Sequence, residues 1–143
     1  MPTSGLDSTQ APHILDAMTG KTALTAWSGT TGKLKLQNST GSETADGTEI
    51  SGGSYPAGGI VYTVSTTFGA ASYSTNVTSA TNSVNPITQA SMPTVGSPGV
   101  TYATIYDAGA VRWWWGALTT PVLTNSGDTL TFATSSIVVQ LNM

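Results

Sequence analysis

VTYATIYDAGAVRWWWGAL, residues 100–118, reads as two strands and the turn between them. The first arm, VTYATIYDAG (100–109), is β-branched and aromatic, which suits a pleated, half-buried surface. Asp107 to Gly109 supply turn chemistry, and AVRWWWGAL (110–118) runs back as the second arm of a hairpin. Three of the chain's four tryptophans stand side by side at 113, 114 and 115. Successive strand side chains point to opposite faces. Trp113 and Trp115 are therefore expected on one face, and Trp114 on the other with Arg112. One face fills a core. The other leaves an indole to be covered, either by local loops or by a second surface, since an exposed aromatic patch marks an interaction site.

The rest of the chain agrees with strands. Of its 143 residues only 8% are charged, against about 25% in an ordinary soluble domain. Thr, Ser, Asn and Gly fill the difference, and they are poor helix material. With four cations and a net charge of −3, there is no basic cluster to release counterions from nucleic acid, nor a polybasic patch for a membrane surface. No apolar run reaches the length of about 18 residues that a spanning helix needs. MPTSGLDSTQ has neither a basic nor an apolar leader region, so no signal peptide is read there. The absence of Cys removes disulfides and thiolate metal sites.

The first ten residues read as an extended arm, and 11–20 as a short helix. Ser8 or Thr9 can cap it, Pro12 suits its first turn, Ile14, Leu15 and Met18 form its apolar stripe, and Gly20 ends it. Strand signals follow at KLKLQN (33–38) and GIVYTVSTTF (59–68). SYSTNVTSATNSVNPITQ (72–89) suggests one or two exposed strands anchored by Val77, Val84 and Ile87. Pro93, Pro98 and Gly99 mark a loop. NSGDT (125–129) turns between PVLT and LTFATS, and SIVVQLNM closes as a strand or arm. Short strands with turns every 8–12 residues or so indicate an all-β fold. The expectation is one domain over 1–143, an antiparallel β-sandwich or jelly-roll-like body from residue 33 onward.

Catalytic chemistry is hard to assemble from these residues. His13 is the only histidine; it falls on the helix, and no G-x-S-x-G elbow exists to use it. Glu43, Asp46 and Glu49 share a Gly-rich loop where carboxylates can gather round Ca²⁺, but they miss the EF-hand pattern and read as a solvated loop. Asp107 and Asp128 sit at turns, where Asp bonds local backbone. The expectation is no enzyme, no cofactor and no metal.

Three motifs carry a family resemblance: Gly47 to Tyr55 (GTEISGGSY), Gly116 to Pro121 (GALTTP) and Asn125 to Phe132 (NSGDTLTF), with HILDAMTG before them. In order and spacing the chain resembles small virion proteins of tailed double-stranded-DNA bacteriophages, variously labelled tail fibre, minor capsid or capsid decoration protein. The resemblance implies a non-enzymatic virion component. With no shaft-like repeat in the sequence, the leading expectation is a decoration protein on the capsid surface, stabilising the major capsid protein lattice as a homotrimer or homodimer. The alternative is a tail fibre module that binds host glycans. The expected anchors are Trp113, Trp114 and Trp115, with Tyr102 and Tyr106 on the paired strand. Leu6 in the arm and Ile137, Val139 and Leu141 in the last strand are expected to join them.

Overall fold

The computed structural model describes residues 4–6, 8, 10–21, 27–74 and 77–142. The elements in chain order are β1 (Ser4–Leu6), α1 (Gln10–Met18), β2 (Thr31–Gln37), β3 (Ile60–Thr63), α2 (Val64–Thr67), β4 (Ser72–Ser74), β5 (Val77–Thr81), β6 (Ile87–Gln89), β7 (Val95–Asp107), β8 (Arg112–Thr124), β9 (Leu130–Phe132) and β10 (Val138–Asn142). The expected hairpin is β7–β8, at the centre of a five-stranded sheet ordered β1-β8-β7-β2-β3. A three-stranded sheet β10-β5-β4 and a two-stranded pair β6-β9 complete the described strands. Every strand pairing is antiparallel. The fold is all-β and sandwich-like, with one short helix near its start, as the composition demanded.

Alternation in β2 sets the two faces of the large sheet. Leu34 and Leu36 are buried, while Lys33 and Lys35 are half-buried on the opposite face. The register carries this across four strands: Leu34 faces Ile105, Ile105 faces Trp114, and Trp114 faces Leu6. Residues directly opposite share a face, so Leu34, Ile105 and Trp114 lie on the core side. Leu34, Leu36 and Ile105 join Ile50, Tyr55, Ile60, Tyr62, Ile87, Met92, Val95 and Val100 in the apolar core. Gly32 must lack a side chain, because a Cβ there would overlap the Tyr62 ring.

Several local expectations are corrected. Strand 59–68 stops at Thr63, and Val64–Thr67 forms one helical turn. There the Val64 N–H donates to the Thr30 carbonyl at 3.0 Å, turning the chain away from the sheet despite its β-branched sequence. Segment 72–89 holds three strands rather than one or two. The Val84 side chain is exposed, and the residue contributes only its N–H, which donates to the Thr67 carbonyl at 3.2 Å. Ile87 is buried, and buried Asn82 takes the anchoring role by accepting from Ile137 N and donating to the Ala133 carbonyl. The expected loop at Pro98–Gly99 is the irregular outer half of β7, where the register to β8 shifts. The turn at 125–128 joins β8 to β9, yet β9 pairs with β6, because burial of Ile87 and Phe132 brings those two together. Strand β10 pairs with β5.

Replacing Leu36 with Ala, which removes a fully buried side chain, is expected to cost about 2–5 kcal/mol. Ala110 has φ +62° in the β7–β8 turn, a region that penalises a Cβ. Ala110→Gly is expected to stabilise the fold by up to about 1 kcal/mol. Urea unfolding with an unchanged m-value checks both signs.

Candidate functional site

The indole cluster begins with a β-bulge. Ile105 faces Trp114 and Tyr106 faces Arg112, so Trp113 has no β7 residue opposite it. A bulge breaks alternation, and two consequences follow. Arg112 and Trp115, both opposite face-sharing partners (Tyr106 and Thr104), lie on the face away from the core, whereas Trp114 lies on the core side. The expected pairing of Trp114 with Arg112 on one face is therefore wrong. The rings of neighbours Trp113 and Trp114 also stack, 6.0 Å apart at 25°, which an unbroken strand would not allow.

Trp27 also stacks on Trp113, at 5.9 Å and 29°. Sequence reasoning passed over Trp27, since a single tryptophan between turn residues shows no periodicity. Trp113 and Trp115 are each 7% exposed, and Trp114 packs half-buried against the core. The chain itself therefore covers most of the three indoles. The indole N–H of Trp113 donates to Asp107 Oδ2 (3.2 Å), and that of Trp27 to the Thr31 carbonyl (3.2 Å). Among the described residues, the Trp114 and Trp115 N–H groups have no acceptor.

Asp107 organises the turn beneath this stack. Its carboxylate accepts from Val111 N (2.9 Å), Ser28 N (3.2 Å) and the Trp113 indole. Burial alone would raise its pKa. The N–H groups of Val111, Trp113, Ser28 and Gly109 outweigh burial and hold the carboxyl below the usual carboxylate range. The sequence marked Asp107 as a turn residue bonding nearby backbone, and it does so; its reach to Trp113 and Ser28 needed the fold.

The face away from the core is polar. Asp46 accepts from Tyr106 Oη (2.6 Å) and Arg112 Nη1 (3.2 Å), and Lys35 Nζ lies 3.5 Å away. Lys35 also sits 4.1 Å from the centre of the Tyr106 ring. Arg112 Nη2 donates to the Glu43 carbonyl as well. Tyr106 thus joins loop 38–49 to the sheet, while Tyr102 pairs in register with Gln37 and Ala117. Glu49 belongs to a separate network, accepting from Tyr55 Oη and Gly58 N. Of the three loop carboxylates, Asp46 and Glu49 thus serve different partners, while Glu43 contributes its backbone carbonyl. His13 lies exposed on α1.

The arm residues meet the tryptophan strand at its edge. Leu6, Gly5 and Ser4 face Trp114, Trp115 and Gly116. Beside this pairing runs a cleft of about 390 Å³ between Gly116–Thr119 of β8 and the 136–140 segment, with Leu34, Ile105, Trp114 and Phe132 inside it. Ile137 and Val139 are half-buried, line this cleft and pack on the core. Leu141 faces Thr78 across the β10–β5 pairing; its side chain and that of Leu6 lie outside the described residues.

A family model described as podophage GP4 fiber I protein gp80 matches residues 5–140 of this chain. The chain belongs to that family and is a phage fibre-type structural virion protein. The match supports the tail fibre reading and gives none to the capsid decoration reading that led the sequence analysis. Comparison with curated proteins found no match.

Asp107→Ala is expected to lower stability by about 2–3 kcal/mol, because it strands the buried Trp113 indole N–H and the part-buried N–H groups of Ser28 and Val111. The carboxyl's folded-state pKa lies below its unfolded value, so its contribution is complete above the carboxylate range and is lost as pH falls through the folded-state pKa. Urea midpoints at pH 7 and pH 3 should therefore differ less for Asp107→Asn than for the unsubstituted chain.

Proposed function

Starting from membership in a phage fibre family, we propose that this chain is a non-enzymatic structural subunit of a podophage tail fibre. It acts by self-association and by binding other virion proteins, and not through nucleic acid, membrane or a cofactor. The family match across 5–140 carries this reading. Surface chemistry supports it. Strands β8 and β10, on either side of the cleft, contain no charged residue beyond Arg112, and that guanidinium is buried on Asp46. Isolated proteins usually protect open strand edges with charge, because a bare edge recruits other chains. Leu15 and Met18 of α1 are 61% and 78% exposed, the state of a helix face that awaits a neighbour.

The burial of Trp113 and Trp115 argues against a flat indole platform for host sugars. Their area contributes to holding the domain together, which leaves assembly as the role of the remaining apolar surface.

Gold-labelled antibody on intact virions should decorate the tail, and mass-spectrometric counting should give a small number of copies per particle. Labelling spread over the head, with hundreds of copies, would instead place the chain on the major capsid lattice and overturn the fibre assignment. Sedimentation of the purified chain is expected to show a homo-oligomer of defined size.

A further inference from the structure

The segment Ser4–Gln10 is held by contacts that do not depend on which chain supplies it. Strand β1 lies on the outer edge of β8 through three residue pairs. Ser8 then bonds the Glu43 carbonyl through both its backbone N–H (3.4 Å) and its hydroxyl (3.2 Å). Gln10 is buried in a pocket beside Asp46, Tyr106 and Arg112. All these acceptor groups belong to the sheet and to loop 38–49, so a segment from another chain would meet the same partners.

The helix that follows behaves differently. Gln10 is its only buried residue, and the apolar stripe predicted from Ile14, Leu15 and Met18 has little cover within its own chain. Lys21 is bonded back to Asp16 of the helix and Trp27 is stacked on Trp113, so five residues, 22–26, connect α1 to the sheet, a reach of at most about 18 Å when extended. The groove that receives β1 also continues past Gly116 as the apolar cleft toward Thr119, beside the uncharged start of β10.

We infer that β1 is exchanged between copies: in the assembled protein, Ser4–Leu6 of one chain completes the β8 edge of a neighbouring copy. Exchange of an identical element needs no new interface chemistry and is a low-cost route to a closed oligomer. The occupant is a second copy because the site already fits this sequence in register. Carrying α1 to the seam between copies also covers Leu15 and Met18, and the scarcity of charge leaves little repulsion between chains. The inference rests on the self-association proposed above and names its connecting element.

A chain without cysteine allows a direct test. Ser4 and Gly116 are directly opposite, so cysteines there have Cα atoms about 4.5–5.5 Å apart, within the range a disulfide spans. Ser4→Cys and Gly116→Cys are co-expressed as two differently tagged full-length chains, and are also combined in one chain. Exchange predicts a disulfide joining the two tags, and covalent oligomers from the double variant on a non-reducing gel. Should Gly116→Cys fail to fold, Ser4→Cys with Leu118→Cys, one diagonal step of about 7 Å away, is bridged by a short bismaleimide. An oligomer of normal mass whose double variant closes only within one chain overturns the exchange and leaves self-association standing. A monomeric unsubstituted chain by sedimentation overturns both.

Discussion

The structure depends on one buried carboxylate. Asp107 ends β7, accepts the Val111 N–H across the turn, and takes the Trp113 indole N–H from the first residues of β8. It also holds Ser28 on the far side. Those bonds define where the hairpin reverses and which residue bulges. Once Trp113 is displaced from the ladder, its ring stacks with both Trp27 and Trp114 instead of alternating with its neighbours. A charge-assisted hydrogen bond in a low-dielectric site is worth more than the same contact in water. One acidic side chain can therefore set the geometry of a stack of three indoles.

The two faces of the large sheet are stabilised by different physics. On the core side, Leu34, Ile105 and Trp114 form a continuous row whose value comes from removing apolar area from water. On the other side, a chain with only 8% charged residues concentrates four polar groups, Lys35, Asp46, Tyr106 and Arg112, into one clasp. Breaking one partner of a buried pair leaves the other uncompensated. The clasp thus fixes loop 38–49 over that face more sharply than its glycines and serines would suggest.

These features leave the molecule's unmet requirements at its margins. The interior is occupied by its own side chains, and the tryptophans serve chiefly as internal structure. Among the described residues, what remains open is the edge of β8 beyond Gly116, the uncharged β10, and the apolar face of α1. Such a distribution suits a fibre-family protein whose work is to be built into a larger particle.

Strand content, the β7–β8 hairpin, the early helix and the turn at Asn125–Asp128 were all legible in the residues, because each follows from local propensity and from a short-range pattern of two or 3.6. The short motifs around Gly47, Gly116 and Asn125 likewise pointed to phage virion proteins. The face occupied by each tryptophan was not legible, since one extra residue in a ladder reverses every side chain beyond it and only the partner strand reveals the insertion. The same holds for the meeting of Trp27 with Trp113, of Asp46 with Arg112, and of β6 with β9. These residues lie far apart in the chain, and their contacts are selected by which buried surfaces fit together, a property of the folded whole.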